Sequence, residues 1–178
     1  PSMVALYGIF VSLTVMQMGF VVMISRPTWP AVAEAIARED RRWARNASNR
    51  LYLYGAGFAL CSATGLVLIG PWALELWLGE SFSNISRGML AAYGVYAVAH
   101  IWRHLNHSLM IGVGKVNRLA RVQLMETFIL AVAAWAALRF GGVGPMLISM
   151  ATTIFLVTGW VLPRMVASEL RKHSAVDS

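Results

Sequence analysis

An all-α, polytopic membrane helix bundle is the fold class that this sequence predicts, and three observations carry the prediction. Of its 178 residues, 58% are hydrophobic and only 13% are charged, with a mean hydropathy of +0.61; an ordinary soluble domain is about 25% charged. Five stretches are long and apolar enough to span a bilayer, at 3–24, 51–70, 88–111, 122–138 and 143–162. The connections between them alternate in charge. Arg26, Arg38, Arg41, Arg42, Arg45, Arg50, Lys115, Arg118, Arg121, Arg164, Arg171 and Lys172 all fall on one side, against Arg87 and Arg139 on the other. That asymmetry assigns the basic side to the cytoplasm, with the N-terminus outside. The expected organisation is a transmembrane bundle over 1–163 and a polar cytoplasmic tail over 164–178. The +7 net charge is thus spent on topology, and no nucleic-acid partner is expected.

The first span leads into RPTWPAVAEAIAREDRRWARNASNR. Proline is tolerated in a first turn and disrupts a helix interior, so Pro27 and Pro30 are expected to end the span and open a new helix. Residues 30–45 are expected to form a short basic helix on the inner leaflet, drawn to anionic lipid, with Trp43 in the headgroups. The second span holds the single cysteine, Cys61, read as a small core residue; one cysteine excludes an intrachain disulfide. Residues 139–145, RFGGVGP, read as a tight turn between the fourth and fifth spans. The chain begins at Pro1 and runs straight into a span, from which further chain upstream is expected.

The third span is the most polar. Tyr93, Tyr96, His100, Arg103, His104 and His107 recur at spacings of three and four, which places them on one stripe of a helix. Leu90, Val95, Val98, Ile101, Leu105 and Leu109 fall opposite. Ionisable groups in a span must face protein or water, so the stripe is expected to line a hydrated path for something polar or anionic. Arg103 lies twelve residues before Lys115 and Glu126 eleven after it. At a 1.5 Å rise per residue both sit roughly 17 Å from the intervening turn. They are therefore expected to pair across the hairpin, either as a structural ion pair or as one that Arg103 leaves when an anion arrives, with Gln123 extending the lining from the fourth span.

No enzyme signature is present: there is no HExxH, no CxxC pair and no phosphate-binding glycine loop. The histidine spacing alone, without cysteine or carboxylate partners on the same helix, does not make a metal site. No catalytic residue, metal or cofactor is expected.

The run PTWPAVAEAIAREDRRWARNA (Pro27, Trp29, Pro30, Ala31, Glu34 and 38–42), the outer segment LELWLGESF at 74–82 and the glycine–lysine turn IGVGKVNRLARVQ at 111–123 together resemble the polysaccharide (O-antigen-type) flippases of the multidrug/oligosaccharidyl-lipid/polysaccharide exporter superfamily. The resemblance implies a transporter of two six-helix lobes, of which this chain is most of the second, the other lobe being its missing partner. It also implies the activity: moving a polyprenyl-pyrophosphate-linked oligosaccharide across the bacterial inner membrane by alternating access, for polysaccharide biosynthesis, in contact with membrane lipids. Arg103 is not a motif position of that family; its candidacy rests on charge and depth, since a guanidinium fork matches phosphate oxygens. The competing readings are a drug or cation exporter of the same superfamily, a membrane-embedded ligase or polymerase, and a non-transporting subunit. An acidic cavity would favour the first and a large outer loop the second.

Overall fold

The computed structural model describes residues 3–79 and 85–171. Within them the chain forms six helices: α1 (Met3–Ala37), α2 (Arg41–Leu78), α3 (Arg87–Gly112), α4 (Val116–Gly141), α5 (Val143–Val157) and α6 (Val161–Arg171). Residues 80–82 of the outer motif and 172–178 of the expected tail lie outside the described residues. The all-helical bundle expected from composition is what the structure shows, and no strand occurs among the described residues.

Among the described residues, four helical segments are long and apolar enough to cross a membrane: Val4–Ala37, Arg41–Trp77, Val116–Gly141 and Val143–Arg171, the last combining α5 and α6. α3 falls short on composition because it carries the polar stripe. It is nonetheless the centre of the bundle, packed against α1, α2 and α5, with Leu90, Ile101, Leu105 and Leu109 at most 1% exposed. Its neighbours shield the ionisable stripe, the condition under which such a stripe is tolerated in a bilayer. Close approach is bought by small residues, as membrane helices require. Gly55 of α2 leaves room for the Leu105 side chain, and a Cβ on Gly112 would stand 3.0 Å from the Trp29 carbonyl oxygen.

The first connection departs from expectation. α1 runs without interruption through Pro27 and Pro30, so there is no separate interfacial helix over 30–45. Proline withholds the N–H that the carbonyl four residues earlier would accept, but packing outweighs that loss. Val32 is fully buried and Ala35 nearly so, in one cluster with Leu109, Met110, Leu119, Leu162 and Val166, and the Thr28 hydroxyl donates to the Ile24 carbonyl at 3.0 Å. Val32 and Ala35 therefore face protein rather than lipid headgroups. The chain turns only at residues 38–40, where Glu39 takes a positive φ of 63° and the Asp40 carboxylate caps α2 by accepting from the Trp43 amide at 2.9 Å.

With 35 and 38 residues, α1 and α2 extend roughly 52 and 57 Å, against a hydrocarbon core of about 30 Å. The hairpin thus projects well past the membrane at its basic end. There the end of α6 is tied in: Glu169 receives Lys115 at 3.4 Å and Arg118 at 3.8 Å, while Arg41 donates to its carbonyl at 2.8 Å. Residues 164–171, expected as polar tail, are helical, and Leu162 and Val166 are buried. Cys61, expected in the core, is exposed on the bundle surface.

Candidate functional site

The polar stripe of α3 meets α1 on one flank and α4 and the α5–α6 junction on the other. Tyr96, His100, Arg103, His104 and His107 are each half-buried, so neither flank covers the stripe completely. Its depth follows from α1. His104 Nε2 lies 3.0 Å from the Ser25 hydroxyl, and Ser25 is the last residue before Arg26 ends the uncharged run of α1. Arg103 and His100 accordingly sit within about one helical turn of the basic edge of the apolar zone, shallower than a midplane site.

Arg103 is held from two sides. Its Nη2 lies 3.0 Å from His100 Nδ1, and its Nη1 lies 3.9 Å from Glu126 Oε1. An arginine only donates, so His100 Nδ1 is the acceptor and the imidazole proton resides on Nε2. The Tyr96 hydroxyl is 3.4 Å from the same Nδ1, a long contact competing for one lone pair. A guanidinium has five N–H donors. One is hydrogen-bonded here, to His100, and the side chain keeps 22% exposure, so part of the fork is free for an anion.

Glu126 is fully buried although α4 as a whole is peripheral: Leu119 and Glu126 are its buried residues. Its Oε1 accepts from the Thr158 hydroxyl at 3.0 Å, and its Oε2 has no partner among the described residues. Thr158 stands where the helix breaks between α5 and α6, and the Trp102 indole N–H donates to the Gly159 carbonyl at 3.3 Å. Irregular backbone at membrane depth needs partners of this kind, and α3 supplies one directly.

The remaining candidates divide. Tyr93 is fully buried, stacked on Phe10 at 4.9 Å, and donates to Gln17 Oε1 at 3.0 Å. Gln17 in turn donates to the Ser62 hydroxyl at 2.5 Å, so Tyr93 belongs to a separate polar layer that ties α1, α2 and α3 together. Tyr96 bridges the two layers, with its ring 6.2 Å from Tyr93 and 5.5 Å from His100. His107 has a buried Nε2 with no partner among the described residues. Gln123 is exposed on α4 and is not brought to the Arg103 cluster. Sequence reasoning missed Thr14, Gln17 and Ser25 on α1, whose spacing in step with the buried Val21 marks one face, and Thr158. It also missed the far side of α3, where the Tyr52 hydroxyl donates to Asn106 Oδ1 at 2.7 Å and Asn106 donates to the Trp102 carbonyl at 2.8 Å.

Fold and site together define a multi-pass membrane helix bundle with a partly open, cationic polar seam near the basic end of its spans. Among known proteins, the chain is 25% identical over 118 residues to a Shigella dysenteriae protein provisionally described as an O-antigen transporter. That match covers 65% of this chain and 30% of the relative. No family model matches the chain, and no solved structure matches it.

Proposed function

We propose that this chain forms part of a flippase that moves a polyprenyl-pyrophosphate-linked oligosaccharide across the bacterial inner membrane, with its basic end in the cytoplasm. Arg103 would be the pyrophosphate contact. The observation that carries the reading is the geometry of Arg103: a guanidinium inside the apolar zone, restrained by His100 and a long contact to Glu126, with part of its fork open. Headgroup phosphates lie at the shallow depth it occupies, and a delocalised fork suits two adjacent phosphates. The similarity to a described O-antigen transporter supports the same class of cargo. A drug or cation exporter is the poorer fit, because the open charge in the seam is positive and the carboxyl group is buried behind it.

In this reading Arg103 exchanges partners, leaving Glu126 for pyrophosphate on the cytoplasmic side and returning after release on the other. His100 orients the fork and Thr158 keeps Glu126 in place while it waits. The test is surface glycan in a strain lacking its own flippase, measured alongside protein level. The Arg103→Met, Glu126→Leu double variant is expected to accumulate in the membrane, since no charge is stranded, yet to export no glycan; Arg103→Lys should retain part of the activity as a poorer fork. Normal glycan from the stable double variant would leave Arg103 a structural residue.

A further inference from the structure

A second polar site lies on the opposite flank of α1, away from the Arg103 seam. Ile24, Pro27, Thr28 and Ala31 of α1 face Trp43, Asn46, Ala47, Arg50, Leu51 and Tyr54 of α2 across a cleft of about 460 Å³. Its floor is apolar, and its rim carries one cation, one amide and two aromatic rings. Trp43 is 46% and Tyr54 61% exposed. Arg50 has no ion-pair or hydrogen-bond partner among the described residues, whereas Arg38 nearby is already matched by Glu34.

Depth makes this combination specific. Pro27 and Arg50 lie twelve and eleven residues from the turn at Glu39, hence level with each other, roughly 17 Å from the hairpin tip. The uncharged run of α1 ends at Arg26, so the cleft straddles the boundary between hydrocarbon and water at the basic end. Trp and Tyr settle at that level with the ring in the interface. Basic pockets between membrane helices on the cytoplasmic side hold anionic headgroups.

We infer that the α1–α2 cleft is a binding site for an anionic phospholipid, with its phosphate on Arg50 and Asn46 and an acyl chain along Ile24, Leu51 and Tyr54. The lipid would fill the gap between α2 and the stretch of α1 that Pro27 and Pro30 leave without full backbone bonding, and so fix the spacing of the hairpin. This site is independent of the cargo reading, since it shares no residue with the Arg103 seam.

The experiment uses the full chain in detergent, delipidated and then titrated with dioleoylphosphatidylglycerol, dioleoylphosphatidylcholine or inorganic phosphate, with bound lipid counted by native mass spectrometry. Phosphatidylglycerol is expected to be retained in preference to phosphatidylcholine, and Arg50→Gln should weaken that retention about fivefold, with Arg50→Lys in between. Equal retention of the two lipids, unchanged retention in a folded Arg50→Gln variant, or full competition by inorganic phosphate alone would each overturn the assignment.

Discussion

Replacing Arg103 by Met and Glu126 by Leu, singly and together, offers a direct measure of how the seam is held. At 3.9 Å and an effective dielectric of about 20, two unit charges attract by about 4 kcal/mol. Arg103 is 22% exposed and His100 shares its fork, so water and the second partner reduce the net coupling to about 1–3 kcal/mol. Glu126 has no exposure and, once Arg103 is gone, only the Thr158 hydroxyl to stabilise it. The Arg103→Met variant should therefore lose about 3 kcal/mol, the low end for stranding one member of a buried pair. The double variant should lose clearly less than the two single losses added together. Unfolding in detergent micelles, followed by circular dichroism against added denaturant, supplies all four corners of the cycle. Strictly additive losses would mean that the two groups do not interact, and the geometry of the α3–α4 pairing would have to be abandoned.

Two further outcomes are expected. Tyr52→Phe removes the donor to Asn106 Oδ1, which is fully buried, and should destabilise the chain by about 1–3 kcal/mol in the same assay. In a Cys61→Ala background, needed because Cys61 is exposed, Arg139→Cys should react with an impermeant thiol reagent in intact cells and Arg42→Cys should not; the reverse pattern would invert the proposed orientation.

The parts of this structure that were legible in the sequence are those fixed by helical rise and hydropathy. Apolar length located the main spans, and equal distance from the Lys115 turn brought Arg103 and Glu126 to one level, because a helix converts residue count into depth. Partner choice was not legible. The long α1 survives two prolines because Val32 and Ala35 join a buried core as α1 packs against α2 and α3, which local propensity does not contain. The first span looked featureless because Thr14, Gln17 and Ser25 are individually unremarkable; their common face acquires meaning only once α3 lies against it. The histidine stripe looked like one unit, yet its members took up different neighbours: Arg103 for His100, Ser25 for His104. The break after Thr158 was legible in part, since Pro163 withholds the N–H that the Gly159 carbonyl would accept; the groups that satisfy it, the indole of Trp102 and the acceptor on Glu126, lie on other helices.

Glu126 also bears on how the bundle is assembled. α4 has an outward surface as apolar as the lipid around it, and lipid gives such a helix no hydrophobic reason to leave its company. Before it packs along α5, α4 carries one carboxyl group that hydrocarbon will not accept. That group has a home beside Thr158 and Arg103, so one side chain helps to select the azimuth of a 26-residue helix. Biogenesis of the fourth span then couples the search for one address to the packing of α4 along α5.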